Sequence, residues 1–389
     1  MSRVDELLAH LAPNGVRYTT LQQVATYRTG EQLNRSAMSE DALYPVLNGG
    51  IGQSGRYALF NTEGNTIAIS QGGASAGYVN FVTERFWAGA HCYVVEPKNG
   101  SGVENHFLFL VLKEGQFALQ ASKLGAGIPG LSRSELASFP VPIPPIEVQR
   151  EVVGILETFA DLQANLESEL RARHLQHSFY WRTLLTPRVG WRLMQLGQIA
   201  EIFDGPHATP KKTSAGPWYL SVSSLKNGRF DLLESAHLTY EDFSTWTRRV
   251  IPRVGDTMFS YETRVGQAAF WDRDEPAALG RRMGLLRPRL TEVVPRFLTL
   301  VFLGPQFQKL IETKTVRGST VDRIPIADMA TWEILIPSLA EQNLIVTTLD
   351  NFDALVNDVR IGLPAEITAR RKQYEFYRNR LLTFREAAA

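Results

Sequence analysis

Residues 143–185 read IPPIEVQREVVGILETFADLQANLESELRARHLQHSFYWRTLL, and this stretch decides the fold. Two prolines close a strand. The apolar residues Val152, Ile155, Leu156, Phe159, Leu162, Leu166 and Leu170 then recur three or four positions apart. A stripe that narrow, flanked by Glu, Gln and Arg, predicts a long helix that starts near Ile146 and pairs with another helix. The second helix is in the same chain. Residues 336–382, IPSLAEQNLIVTTLDNFDALVNDVRIGLPAEITARRKQYEFYRNRLL, repeat the pattern. At an offset of 193, Pro144 is matched by Pro337, Gln149 by Gln342, Leu156 by Leu349 and Phe159 by Phe352. The offset then becomes 197, matching Glu169 to Glu366, Arg173 to Arg370, Gln176 to Gln373 and Tyr180 to Tyr377. The second seam runs over Ile345, Leu349, Phe352, Leu355, Val359 and Leu363, with Gly362 and Pro364 breaking and restarting the helix. A period this long, present twice, marks a duplicated half-protein and not a solenoid.

Ahead of each helix the pattern turns β-rich. LQQVATYRTG (residues 21–30) is answered by LGQIAEIFDG (residues 196–205) at an offset of 175. In the first half, residues 4–11 predict a short helix stopped by Pro13-Asn14-Gly15, followed by alternating strands punctuated by Asn-Gly and Gly-Gly turns. Residues 105–119 predict one helix burying Phe107, Leu108, Leu110, Val111 and Leu112. Residues 131–137 begin a short helix capped by Ser132 or Ser134 before a strand over residues 139–143. The middle of the second half, including GDTMFSYETRVGQAAFWDRDEPAALGRRMGLLRPRL, has no close sequence partner in the first. The expected order is a first β-rich domain (residues 1–143), a first helical spacer (144–188), a second β-rich domain (189–336) and a second spacer (337–389). A returning second helix lies antiparallel to the first about an approximate two-fold. The fold class is therefore α+β, with two β-rich domains joined by two long antiparallel coiled-coil helices. At about 1.5 Å per residue the first helix spans roughly 60 Å, a ruler of one to two turns of DNA.

Composition bounds the function. A chain of 389 residues accommodates two or three domains, and 44% apolar with 21% charged residues describes an ordinary soluble protein. A net charge of +1 means that any nucleic-acid role must come from local patches. The single cysteine, Cys92, rules out an internal disulfide or a cysteine-cluster zinc site and suits a reducing cytoplasm. The N-terminal residues lack a signal-peptide run, and no apolar stretch has membrane-spanning length.

Enzymatic signals fail on context. Gly125, Gly127 and Gly130 fit GxGxxG, but the motif contains Pro129 and follows a helical stretch, so it reads as a turn. Glu96-Pro97-Lys98 suits a strand end and lacks the aspartate of a nuclease motif. His174 and His177 have no third ligand nearby and read as surface polar residues. There is no NPPY or DPPY tetrad and no phosphate-loop lysine, so the chain is expected to catalyse nothing.

The layout resembles the specificity subunit of type I restriction-modification systems, in which two target-recognition domains alternate with two helical regions. YPVLNGGIGQSG, GNTIAISQGGASAGYVNF and FWAGAHCY carry the resemblance in the first domain. FDGPHATPKKT, GDTMFSYETRVGQA, LGRRMGLLRP and RGSTVDRIPIADM carry it in the second, with IPPIEVQREVVGIL, IPSLAEQNLIVTTLD and LPAEITARRKQYEFYRNRLLTF in the helices. The first helix departs from it, with HLQHSFYWRTLL where the family usually has a more basic, tyrosine-rich run. The resemblance implies a non-enzymatic subunit reading a bipartite double-stranded DNA target from the major groove. It implies two methyltransferase subunits that carry S-adenosylmethionine and methylate adenine, and restriction subunits that use ATP and Mg. No cofactor is expected in this chain.

Candidate contacts follow. Arginines beside Gly, Ser and Thr in loops favour close approach to phosphate, and Arg also carries the fork that reads guanine, while Asn and Gln read adenine. In the second domain these are His207, Lys211, Lys212, Arg264, Arg281, Arg282, Arg317, Ser319 and Thr320. In the first they are Asn48, Gln53, Ser54, Arg56, Gln71, Ser75, Tyr78 and, before the long helix, Arg133. Trp87 and His91 read as core. Tyr180, Arg370, Arg371, Tyr374 and Tyr377 form the partner-docking set that the resemblance implies, and equally suit a helix face with its tyrosines packed inward. Two other readings are a self-sufficient methylating enzyme and a protein-binding adaptor. Methyl transfer by the chain alone would mark the first, and salt-insensitive or absent duplex binding the second.

Overall fold

A computed structural model describes residues 2–121, 130–318, 321–358 and 362–387. The chain divides into two compact units, Met1–Glu167 with Glu366–Ala389, and Ser168–Ala365. Each holds one β-rich domain and parts of both helical regions.

In the first unit, Arg17–Thr20 pairs antiparallel with Pro140–Ile143, Arg17 lying opposite Ile143. The one-turn helix Leu21–Val24 turns the chain into Ala25–Thr29, the edge of an antiparallel sheet ordered Ala25–Thr29, Cys92–Pro97, Thr66–Ser70, Val79–Val82. Thr66–Ser70 is buried along its whole length. A second sheet has Tyr44–Leu47 at its centre, antiparallel to Gly55–Tyr57 and parallel to Trp87–Ala88. The helix expected over residues 105–119 is two helices, Asn105–Glu114 and Gln116–Ala121. The break falls at Gly115, where a Cβ would lie 2.3 Å from the Phe139 ring. The expected apolar face of the first of these is buried, and Glu104 caps its start by accepting from the Phe107 amide at 2.6 Å. Ser132, not Ser134, caps the helix Arg133–Ala137, in a capping box with Glu135.

The second unit repeats this programme. Arg192–Gln195 pairs with Glu333–Ile336 in the same register, Arg192 opposite Ile336. Its four-stranded sheet runs Ala200–Asp204, Met283–Pro288, Thr257–Ser260, Ala268–Phe270, the order of the first. Its three-stranded sheet again has one antiparallel neighbour, Ala236–His237, and one parallel neighbour, Ala277–Leu279, around Thr213–Leu220. The helices Pro295–Leu303 and Pro305–Lys314 again meet at a glycine, Gly304. The middle of this half, which shows no partner in sequence, therefore has one in structure. Sheet order depends on alternating burial and turn geometry, and both tolerate replacement of nearly every side chain.

The first long helix spans Ile146–Leu184. Within the first unit its early part packs antiparallel on Leu363–Leu382. Phe159 stacks on Tyr377 at 5.4 Å, and about two turns onward Glu167 meets Arg371 at 3.6 Å. Within the second unit its later part packs antiparallel on Leu339–Asn357. Tyr180 stacks on Phe352 at 5.1 Å, and Glu341 near the start of Leu339–Asn357 takes Arg188 at 3.4 Å and the Trp191 indole N–H at 3.2 Å. One residue of the expected second seam is wrong: Leu355 is exposed and Val356 is buried instead. The step Leu349, Phe352, Val356 keeps to the buried face, which Leu355 leaves by about 100°. Val359 lies outside the described residues. The helix break before Leu363 is present as expected.

Each helix is locked to its domain by a glutamine with no exposed surface, Gln149 and Gln342. Gln149 donates to the carbonyls of Pro144 at 2.8 Å and Gly102 at 2.7 Å, and accepts from the Glu104 amide at 2.8 Å. Gln342 donates to Pro337 at 3.0 Å and Glu292 at 3.1 Å, and accepts from the Val294 amide at 2.8 Å. Replacing either amide by an apolar group orphans one buried and two partly buried backbone groups. Gln149→Leu and Gln342→Leu are each expected to cost about 2–4 kcal/mol in urea unfolding, with additive losses in the double variant because no partner is shared. A loss below about 0.5 kcal/mol would show that neither amide holds the helix.

Candidate nucleic-acid interface

In the first unit three loops meet at one end of the sheets. They follow Tyr44–Leu47 (residues 48–54), Thr66–Ser70 (residues 71–78) and Trp87–Ala88 (residues 89–91). The Gln71 amide donates to the His91 carbonyl at 2.8 Å, the His91 amide to Asn48 Oδ1 at 3.2 Å, and the Leu131 amide to the Gln71 carbonyl at 2.8 Å. Ser70 Oγ donates to the Gly50 carbonyl at 2.9 Å, and Gln71 Nε2 to the Tyr93 hydroxyl at 3.0 Å. Gly49 and Gly73 take positive φ, and a side chain on Gly89 would strike Asn48. The structure thus brings Asn48, Gln53, Ser54, Gln71 and Ser75 onto one platform. His91, expected in the core, is exposed there because its backbone, not its ring, is what the loops hold. Trp87 is half-buried, its indole N–H on the Glu31 carbonyl.

Other first-domain candidates are engaged elsewhere. The Arg56 guanidinium donates to the carbonyls of Ala42 and Leu43. Tyr78 lies under Lys113, whose Nζ is 4.0 Å from the ring centre and donates to the Val79 carbonyl. Burial holds the Lys113 ammonium below its usual pKa, with Arg378 adding to the effect. Arg133 is exposed, its guanidinium 5.9 Å from the Tyr27 ring.

The second unit repeats the central stitch of this platform with different side chains around it. The Tyr261 amide donates to the Arg282 carbonyl at 3.2 Å and the Ile324 amide to the Tyr261 carbonyl at 2.8 Å, repeating the Gln71 pattern. Thr263, Arg264 and Arg282 all have positive φ, a backbone that side chains rarely adopt. Ser260 Oγ fixes this turn through the Glu262 and Thr263 carbonyls, both at 2.6 Å. Arg282 pairs with Glu262 at 2.9 Å and donates to Thr263 Oγ1 at 3.0 Å. Arg264 points to the carbonyls of Val222 and Leu225. Arg281 is exposed, its amide donating to the Tyr219 hydroxyl at 3.2 Å. Lys212 lies 5.7 Å from the same Tyr219 ring, and Lys211 is exposed beside it. His207 and Arg249 both reach Asp204, at 2.9 and 3.2 Å. Burial raises the Tyr261 hydroxyl well above its usual pKa, and Asp204 reinforces this. Arg317 is exposed and lines a cleft with Thr263, Arg264 and Gln308. Ser319 and Thr320 lie outside the described residues, as do Gly125 and Gly127 of the glycine motif.

The helix candidates are mostly used inside the units. Tyr180 and Tyr377 form the equivalent stacks described above, and Tyr374 is half-buried with burial raising its pKa. Arg370 pairs with Glu366 and Gln373, and Arg371 with Glu167. His174 is exposed, but His177 is turned inward, and burial lowers its pKa. Among the described residues no group of three or more His, Cys, Asp or Glu is placed to hold a metal, and no helix is long and apolar enough to cross a membrane.

Sequence reading missed His91, Glu262, Arg249 and Asp204. The sequence held only a faint signal for His91: Gly89 and Pro97 recur as Gly280 and Pro288 at an offset of 191, which sets His91 level with Arg282.

Two copies of one α+β scaffold, alike in backbone and unlike in loop chemistry, define a duplicated recognition protein. The profile of the type I restriction modification DNA specificity domain matches residues 13–173 and again 188–369, and the chain belongs to that family. It is 27% identical over 341 residues to a Haemophilus influenzae protein assigned as a type I restriction enzyme specificity subunit, covering 84% of each. It is 28% identical over 273 residues to the specificity subunit of a type I restriction enzyme from Escherichia coli, covering 65% of each. The crystal structure of the S subunit of a type I restriction-modification system from M. genitalium superposes with a TM-score of 0.58 at 16% identity, over 95% of this chain and 96% of that one.

Cys92 sits directly beneath the first platform, 2% exposed, and burial pushes its thiol pKa up to about 12. A thiol so protonated and covered is inert. At pH 8 the native protein is expected to resist a disulfide reagent and to react once per chain in urea; fast labelling of the native state would contradict the packed platform.

Proposed function

We propose that this chain is the sequence-reading specificity subunit of a type I restriction-modification complex, with each loop platform facing one half of a bipartite, asymmetric DNA target. The supporting observation is the doubled stitch of backbone hydrogen bonds, Gln71 to His91 and Leu131 in one unit and Tyr261 to Arg282 and Ile324 in the other. It ties the loops together at equivalent points twice while the side chains they display differ, as a reader of two unlike half-sites requires. Bases are read from the major groove, and the surrounding Lys and Arg meet phosphate.

The chain itself is a recognition subunit, and the chemistry lies in its partners. Methyl transfer from S-adenosylmethionine belongs to two modification subunits, one per unit, and ATP-driven cleavage to restriction subunits. The helical faces around Tyr180, Arg370, Arg371, Tyr374 and Tyr377 are the docking region for them. The complex works in the cytoplasm, where a single buried thiol needs no oxidising partner.

The test is an exchange of residues 17–138 for the corresponding segment of another family member. Genome-wide adenine-methylation maps are expected to show one half of the motif replaced and the other half kept. Unchanged motifs, or loss of both halves with the complex still assembled, would defeat the assignment.

A further inference from the structure

We infer that the two platforms read chemically different half-sites, the second directed to guanine through Arg281 and the first to adenine through the amides of Gln53 and Asn48. The inference rests on the proposal that the platforms face DNA, and it adds what each one reads.

The comparison between platforms is position by position because the backbone fixes it. Matching hydrogen bonds equate Gln71 with Tyr261, His91 with Arg282 and Leu131 with Ile324, which places Ala90 opposite Arg281. The glycines that close the two inner loops, Gly77 and Gly266, share a φ of +83°. On this common frame the chemistry diverges completely. Residues 48–54, 71–77 and 89–91 contain no Asp, Glu, Lys or Arg. Residues 261–266 and 280–282 contain Glu262, Arg264, Arg281 and Arg282.

Three arginines do not make three readers. Arg264 is turned onto the carbonyls of Val222 and Leu225, and Arg282 onto Glu262 and Thr263, so the fold uses both to hold the turn. Arg281 differs. Its amide is anchored on the Tyr219 hydroxyl, while its exposed guanidinium has no partner among the described residues. A fork on a fixed backbone with free donors matches the two acceptors of guanine, O6 and N7.

On the first platform the groups left over are amides. Gln53 is exposed and has no partner among the described residues. Asn48 accepts one bond from the His91 amide through Oδ1, which leaves its Nδ2 donors and a second lone pair. One donor beside one acceptor matches N7 and the amino group of adenine.

The test uses the complete complex in its native host, mapping methylated motifs genome-wide for the unaltered chain and for Arg281→Ala, Arg281→Lys, Gln53→Ala and Asn48→Ala. Arg281→Ala is expected to relax one G·C pair in one half-site, with a roughly tenfold to hundredfold loss of discrimination there, and Arg281→Lys, which keeps donors but not the fork, to relax the same pair less. At least one amide variant is expected to relax an A·T pair in the other half-site. Ala removes every donor, so an Arg281→Ala motif identical to the original, with methylation weakened evenly at all sites, would make Arg281 a phosphate contact and overturn the inference. Relaxation by Arg281→Ala at an A·T pair, or in the same half-site as the amide variants, would overturn it too. Should all four variants leave motif and methylation level unchanged, the platforms do not face DNA and the proposed reading surface falls with the inference. Where a variant abolishes methylation, competition between duplexes differing at one base pair, measured on the purified complex, gives the same comparison.

Discussion

A buried amide at the root of each long helix is the constraint from which the rest of each unit follows. Gln149 and Gln342 sit where a strand, a helix start and a loop converge, and prolines there leave carbonyls without a neighbouring amide to serve them. A glutamine supplies two donors and an acceptor in one plane, so one side chain fixes three backbone segments. Because an unpaired polar group in that position costs far more than a paired one gains, the angle at which the helix leaves the domain has little freedom. The strand pairs Arg17–Thr20 with Pro140–Ile143 and Arg192–Gln195 with Glu333–Ile336 then hold identical registers next to these glutamines.

The helices show why the sequence repeat and the compact unit are not the same object. Phe159 and Phe352 are equivalent in sequence, as are Tyr180 and Tyr377, yet each phenylalanine stacks on the tyrosine of the other repeat. Each unit therefore takes its aromatic seam from both helical regions. The outer faces follow the pairing: Arg371 meets Glu167 in one unit while Arg188 meets Glu341 in the other. Those exposed pairs add little stability, and the buried apolar seam carries the association.

Over this frame the two platforms are alike where the backbone is concerned and unlike where solvent is concerned. Hydrogen bonds from Gln71 and Tyr261 specify loop shape without using the side chains that the loops display. Shape and chemistry are separated at these anchor points, while Asn48 in one platform and Arg264 and Arg282 in the other brace the loops with their side chains. An uncharged surface of amides and glycines and a surface dense in arginine rest on one topology, which lets a duplicated domain acquire a second specificity without refolding.

Periodicity settled the long helix from Ile146 and the buried face of residues 107–112, because burial on a helix imposes a spacing on the sequence, while residues repeated at offsets of 193 and 197 settled the duplication and Gly362 with Pro364 the break before Leu363. Contact across the fold decided the rest. The helix break carries Gly115 because Phe139, distant in sequence, occupies the space that a side chain there would need. Val356 displaces Leu355 by a small change in helix phase, and His91 is exposed because Gln71 and Asn48 bind its backbone. Which arginines are spent on the turn and which remain free was likewise invisible in LGRRMG and YETRVG. Adjacent arginines have the same local propensity, and only the positions of Glu262, Thr263, Val222 and Leu225 in three dimensions separate them.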